Sequence, residues 1–211
     1  MSQAHPALRE PWRSLHRQRQ GASFGIWVFL ASEVMFFAGA LMVFGMLRLQ
    51  HPAGFLAAAR ATDIWFGSVN TAVLLTSSLT MAVASQAAEA GLRRLALRCL
   101  GITALLGLAF LVVKGFEYRA DILGGLVPGP TFRLEEPAAQ LFFGFYWALT
   151  GVHAVHLTIG IVAVAGLAWR GWRGTLPLAS PAFEVTALYW HLVDLVWVFL
   201  YPLLYLPGRS G

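Results

Sequence analysis

The chain has 211 residues, 58% of them hydrophobic and 12% charged, with a mean hydropathy of +0.66. That balance excludes an ordinary soluble globular protein and points to a single membrane domain. The net charge of +5 comes from 14 arginines and one lysine scattered between apolar runs, a pattern that fits orientation in a membrane and argues against nucleic-acid binding.

Residues 1–21 are polar and carry four arginines. They hold no short apolar core ending in a cleavage site, so no removable secretory signal is expected. The remainder, 22–211, reads as one membrane domain with five apolar runs at approximately 24–47, 64–88, 95–118, 139–168 and 185–206. Each is long enough to cross a hydrocarbon core of about 30 Å. The expected fold class is therefore all-α, a polytopic bundle of five transmembrane helices. The fourth run exceeds what a span needs and is expected to tilt or extend past the bilayer. Tyr201-Pro202 falls in the last turns of the fifth, where a kink is tolerated. The longest connection, around 119–138, contains Gly124-Gly125, Pro128-Gly129-Pro130 and Pro137 as turn signals.

Basic residues set the expected orientation. Nine lie beside the N-terminal segment and the second and fourth connections, while Arg48, Arg60, Lys114, Arg119, Arg133 and Arg209 fall on the opposite side. The bias puts the N-terminus in the cytoplasm and the C-terminus outside.

Several polar residues interrupt the runs. Phe24 to Leu47 reads FGIWVFLASEVMFFAGALMVFGML, with Glu33 its only charge, roughly 13 Å from the start of that helix at about 1.5 Å per residue. A carboxyl at that depth costs about 2.5–3.5 kcal/mol on insertion scales, so it is expected to face protein and to have a role. His153 and His156 sit near the centre of the fourth run, Glu117 near the end of the third, and His191 with Asp194 in the first half of the fifth. Residues three apart share a helix face, so both members of each close pair can enter one interhelical seam. Trp190, Asp194, Trp197 and Tyr201 form a second stripe, suited to a neighbouring helix or the headgroup layer.

Three chemistries compete for these groups. A metal or haem site is disfavoured, because a helical carboxylate cage supplies several Glu residues and only one midplane Glu is present. The single cysteine, Cys99, also excludes an intrachain disulfide, a thiolate iron–sulfur cage, a C-x-x-C-H haem attachment and a two-cysteine copper centre. A complete proton wire needs groups spaced from one side to the other, and the pattern here is partial. A transporter built on inverted repeats does not fit five spans. The residues favour a hydrogen-bonded network in which one histidine meets Glu33 and the other a backbone carbonyl or a hydroxyl such as Thr150.

Taken together, five segments resemble subunit III of the haem–copper cytochrome c oxidases. They are Phe24–Phe37 (FGIWVFLASEVMFF), Asn70–Ser78 (NTAVLLTSS), Lys114–Tyr118 (KGFEY), Gly151–Gly160 (GVHAVHLTIG) and Glu184–Tyr205 (EVTALYWHLVDLVWVFLYPLLY). They occur in the family's order, and the resemblance extends from about residue 22 to 206. It implies that Glu33 is the family's buried membrane acid, with His153 or His156 as its hydrogen-bond partner. Asn70, Glu117, Tyr118, Trp190, His191 and Asp194 match the family's other polar landmarks. It further implies a non-catalytic subunit without a catalytic residue, metal or redox centre of its own. Haem and copper would lie in partners: the catalytic subunit I and a copper-binding subunit II that receives electrons from cytochrome c. Enzyme activity, oxygen reduction coupled to proton translocation, would belong to the complex. Subunit III would support proton uptake and stability and hold structural phospholipids.

Mitochondrial members of the family have seven spans, so the first span here resembles the family's third, as in a short bacterial form. The implied location is the bacterial plasma (inner) membrane. The alternatives that keep the fold are the homologous subunit of a quinol oxidase and an accessory protein of nitric oxide reductase. From another class, a stand-alone transporter or assembly factor remains.

Overall fold

The computed structural model describes residues 14–178 and 180–209, which form six helices and, among the described residues, no strand. In chain order they are α1 (Leu15–Gln50), α2 (Pro52–Ala61), α3 (Ile64–Glu89), α4 (Arg93–Leu123), α5 (Pro137–Trp172) and α6 (Ala182–Leu204). All but α2 are long and apolar enough to cross a membrane, in line with the five-span bundle expected from sequence. The first 13 residues of the polar N-terminal segment, including Arg9 and Arg13, lie outside the described residues.

Most spans overrun their apolar cores. The first helix starts at Leu15, nine residues before the apolar run, with the Ser14 hydroxyl accepting from the Arg17 N–H at 3.3 Å. Asp63 caps α3 in the same way, accepting from the Trp65 N–H at 2.8 Å. Three helix ends use a left-handed glycine, that of α5 through Gly174 at φ 73°, whose N–H donates to Gly171 O (3.1 Å) while the Thr175 N–H donates to Arg170 O (3.1 Å). At α3 the Leu92 N–H donates to Ala87 O (2.8 Å) and Gly91, at φ 74°, to Ala88 O (3.1 Å). At α4 the Leu126 N–H donates to Asp121 O (2.9 Å) and Gly125, at φ 71°, to Ile122 O (3.2 Å). These paired bonds satisfy the terminal carbonyls, and only glycine takes that backbone without strain.

The short helix α2 was not expected. Pro52 at its first turn presets the backbone, and its ten residues are too few to span a bilayer, so no length criterion finds it. Phe55, Ala58 and Ala59 bury one face of α2. Phe55 packs against Phe44 of α1 and Phe142 of α5, at ring-centre distances of 5.3 and 5.7 Å.

Helices α3 to α6 make the tight part of the bundle. Trp190 is wholly buried where two glycines make room. A Cβ on Gly107 would stand 2.8 Å from its ring, and one on Gly160 would stand 3.1 Å away. Small residues permit that approach, and close packing supplies the association energy that hydrophobicity cannot supply within lipid. The Trp190–Tyr201 stripe faces α3 rather than the headgroup layer: Trp190 Nε1 donates to Ser77 Oγ (3.1 Å), Trp197 Nε1 to Thr71 Oγ1 (3.0 Å), and Tyr201 OH meets Ser68 Oγ (2.7 Å). By contrast α1 is peripheral. Ile26, Leu30, Phe37 and Phe44 form its one buried stripe, and Trp27, Met35, Phe36 and Met42 point outward.

One charge is not where the orientation count put it. Lys114, grouped above with charges flanking the spans, is 2% exposed inside α4. The acceptors that compensate its burial belong to the site.

Candidate functional site

Two polar clusters, one half-buried and one fully buried, occupy different levels of the bundle. The first joins α1 to α5 at mid-length. Glu33 and His156 are each about 19% exposed, with His156 Nε2 lying 3.0 Å from Glu33 Oε2. The other ring nitrogen of His156, Nδ1, lies 2.9 Å from the Val152 carbonyl, which can only accept, so Nδ1 carries a proton. One further proton must lie between Nε2 and the carboxyl. The pair is therefore neutral as a whole, either imidazolium with carboxylate or imidazole with carboxylic acid. Tyr189 of α6 donates its hydroxyl to the His156 carbonyl at 2.9 Å, tying in a third helix. Phe37 meets the imidazole at 5.5 Å and shields it.

His153 does not share this seam, contrary to the expectation for an i, i+3 pair. Three residues turn a helix by about 300°, leaving roughly 60° between the two side chains, enough to send them to different neighbours. His153, at 1% exposure, lies between Phe110 of α4 (5.6 Å) and Trp197 of α6 (5.1 Å). Neither of its ring nitrogens has a hydrogen-bond partner among the described residues. Thr150, the hydroxyl suggested for it, bonds instead to Tyr146 O and Tyr118 OH, at 2.5 and 2.7 Å. The Asn70 amide is likewise buried without a partner. His191 Nδ1 meets Ser78 Oγ at 2.8 Å, and the same hydroxyl faces the Asp194 carboxyl, whose oxygens have no well-formed bond.

The second cluster lies toward the end of the bundle where α4 and α6 finish and α5 begins. Lys114 Nζ donates to Glu117 Oε2 (3.0 Å), Tyr146 OH (3.0 Å) and Tyr205 OH (2.7 Å). Tyr205 OH donates to Glu117 Oε1 at 2.7 Å. Tyr146 OH lies 2.8 Å from both Glu117 Oε1 and Asp121 Oδ2. A buried ion pair is tolerated only when its remaining donors and acceptors are satisfied in this way.

Of this second cluster, sequence reasoning singled out only Glu117. Lys114, Asp121, Tyr146 and Tyr205 were missed as site residues. The signal was present for two of them, because Lys114, Glu117 and Asp121 at i, i+3 and i+7 share one helix face. Tyr146 and Tyr205 carry no such signal. Among the described residues, no group of three or more His, Cys, Asp or Glu side chains is placed to hold a metal ion. The arrangement is suited to pinning helices and holding protons.

An all-helical, five-span bundle cross-linked by acid–base clusters defines a multi-pass membrane protein, and comparison with known proteins fixes its kinship. The family model described as cytochrome c oxidase subunit III matches residues 13–209, so the chain belongs to that family, as the sequence motifs implied. It is 32% identical over 188 residues to cytochrome c oxidase subunit 3 of Bacillus subtilis, covering 89% of this chain and 86% of that protein. It is 28% identical over 186 residues to cytochrome bo(3) ubiquinol oxidase subunit 3 of Pseudomonas aeruginosa, covering 88% and 84%. It is also 29% identical over 188 residues to the haem–copper oxidase subunit I+III of Aeropyrum pernix, covering 86% of this chain and 22% of that protein.

Proposed function

We propose that the chain is the non-catalytic subunit III of a bacterial cytochrome c oxidase, embedded in the plasma membrane with its N-terminus in the cytoplasm. The observation that carries this reading is the family match along nearly the whole chain. Its partners would be a catalytic haem–copper subunit I and a copper-binding subunit II, with cytochrome c as electron donor. The fused I+III relative supports the contact with subunit I. Haem and copper belong to those partners in this reading, and Glu33 with His156 serves to lock α1 onto the bundle. In this reading the headgroup of a zwitterionic structural phospholipid would occupy the cleft of about 520 Å³ beside Arg19, Ser85, Glu89, Ser180 and Glu184, whose two carboxylates suit the headgroup's ammonium and whose hydroxyls suit its phosphate.

The relatives named as quinol oxidase subunits favour a second reading, in which the same subunit serves a quinol oxidase. Purification in mild detergent through a tag on this chain, followed by a reduced-minus-oxidised visible spectrum and partner identification, separates the two. Haem a bands with a two-cysteine copper subunit support the cytochrome c branch. Haem b or o bands without that partner move the reading to a quinol oxidase or nitric oxide reductase. Absence of haem protein would overturn both in favour of a stand-alone transporter or assembly factor.

A further inference from the structure

The Lys114 cluster contains more hydrogen-bonding contacts than its neutral and ionised side chains have protons to fill. Its six contacts are Lys114 with Glu117, Tyr146 and Tyr205, Tyr205 with Glu117, and Tyr146 with Glu117 and with Asp121. An ammonium supplies three protons and each phenol one, which makes five. The shortfall falls on Tyr146, whose single proton cannot serve two carboxyl oxygens that both stand 2.8 Å away. If both acids were ionised, one of those contacts would set two lone pairs against each other in a buried site.

The sixth proton belongs on one of the two carboxyls, and their surroundings choose between them. Glu117 receives the Lys114 ammonium on one oxygen and the Tyr205 hydroxyl on the other. Asp121 has Tyr146 as its side-chain contact, and among the described residues no cation bonds to it. The charged and titratable groups around it are Lys114, Glu117 and Tyr118 on its own helix, Tyr146 on α5, Tyr205 after α6, and Asp63 at the start of α3. Two of these are carboxyls, which oppose a further negative charge. Asp121 also sits two residues from the end of α4, nearer water than Lys114.

We propose that Asp121 is a proton-binding site: its carboxyl holds an exchangeable proton, donates it to Tyr146, and keeps the five-residue cluster electrically neutral. Loss of that proton leaves the cluster with one uncompensated negative charge and breaks the Asp121–Tyr146 bond, loosening the junction of α4 and α5. The site requires only this chain, so it stands whichever oxidase branch the subunit serves.

The test is infrared difference spectroscopy near neutral pH on the tagged chain purified with its partners, comparing wild type with Asp121→Asn. The expected result is a carboxylic-acid C=O band that is present in wild type, absent from the variant, and shifted to lower frequency after equilibration in D2O. Loss of carboxylate bands alone on substitution would overturn the proposal, as would an acid band that does not move in D2O. Asp121→Leu gives the same subtraction should the asparagine variant not assemble. Thermal stability supplies a second readout, because an asparagine amide donates to Tyr146 as the acid does. Asp121→Asn should keep the wild-type transition while Asp121→Leu loses several degrees, and equal losses would show that an ionised carboxylate is what the site needs.

Discussion

Glu33 and His156 are 123 residues apart in sequence and 3.0 Å apart in the bundle, and their bond ties α1 to α5 at mid-length. Around it α1 meets the bundle through an apolar stripe of Ile26, Leu30, Phe37 and Phe44, and within lipid such a stripe gains little from the hydrophobic effect. Glu33→Ala should therefore lower stability by about 0.5–3 kcal/mol, the span from a neutral hydrogen bond to one with a charged group. Glu33→Gln should lose less, since its amide can donate to His156 Nε2. Thermal denaturation of the purified complex, with retention of this chain after heating, checks both. Equal behaviour of wild type and Glu33→Ala would remove the pair from any structural role.

The two histidines of the G-x-H-x-x-H segment should respond oppositely to the same substitution. His156→Phe strands the Glu33 carboxyl and should cost about 1–3 kcal/mol. His153→Phe removes two buried nitrogens that have no partner among the described residues and keeps a ring between Phe110 and Trp197. Replacing an unsatisfied polar group by an apolar one of similar shape is near neutral or stabilising, so that variant should melt at or above wild type. A loss matching that of His156→Phe would mean that His153 is bonded in the assembled complex.

How far the sequence revealed these sites depends on the physical signal behind each. The five spans were legible because bilayer thickness demands a long apolar run, and length is easily read. Helix α2 was not, since PAGFLAAARA is too short for that criterion and its apolar face becomes meaningful only against Phe44 and Phe142. The i, i+3 spacing of His153 and His156 showed that they are neighbours but not that 60° of rotation divides them between seams. Lys114 was misplaced because a lone lysine at the end of an apolar run resembles a flanking charge. Its acceptors, Tyr146 and Tyr205, come from segments 32 and 91 residues away, and no local pattern announces them.

Packing around Trp190 gives a paired prediction within one helix. A methyl group on Gly107 would come within 2.8 Å of the Trp190 ring and 2.9 Å of Ile161, whereas one on Gly101 would meet nothing within 4 Å. Overpacking a filled interior usually costs about 1–3 kcal/mol, while a helical Gly→Ala change with room for its methyl group can gain up to about 1 kcal/mol. Gly107→Ala should therefore destabilise and Gly101→Ala should not, as read from the melting of each variant in the same detergent. If both were neutral, the α4–α5–α6 contact would be looser than its geometry indicates.

The C-terminal tail fixes α2 by a different device. The Arg209 guanidinium donates to the carbonyls of Ala59, Arg60 and Thr62 where α2 ends, joining the Thr62 N–H and hydroxyl that also reach Ala59 O. In return, Arg60 Nε donates to Gly208 O at 3.1 Å. A cation at a helix C-terminus also meets the negative end of the backbone dipole, a contribution of about 0.3–1 kcal/mol at exposed sites. Because α2 is ten residues long, below the length at which an isolated helix is stable in water, its order rests on such contacts. Arg209→Gln should leave the spans intact and raise amide hydrogen exchange selectively across residues 53–61. The protection of α3 and α6 cores should stay as in wild type. Unchanged exchange in α2 would show that Phe55 and its aromatic neighbours hold the helix without the tail.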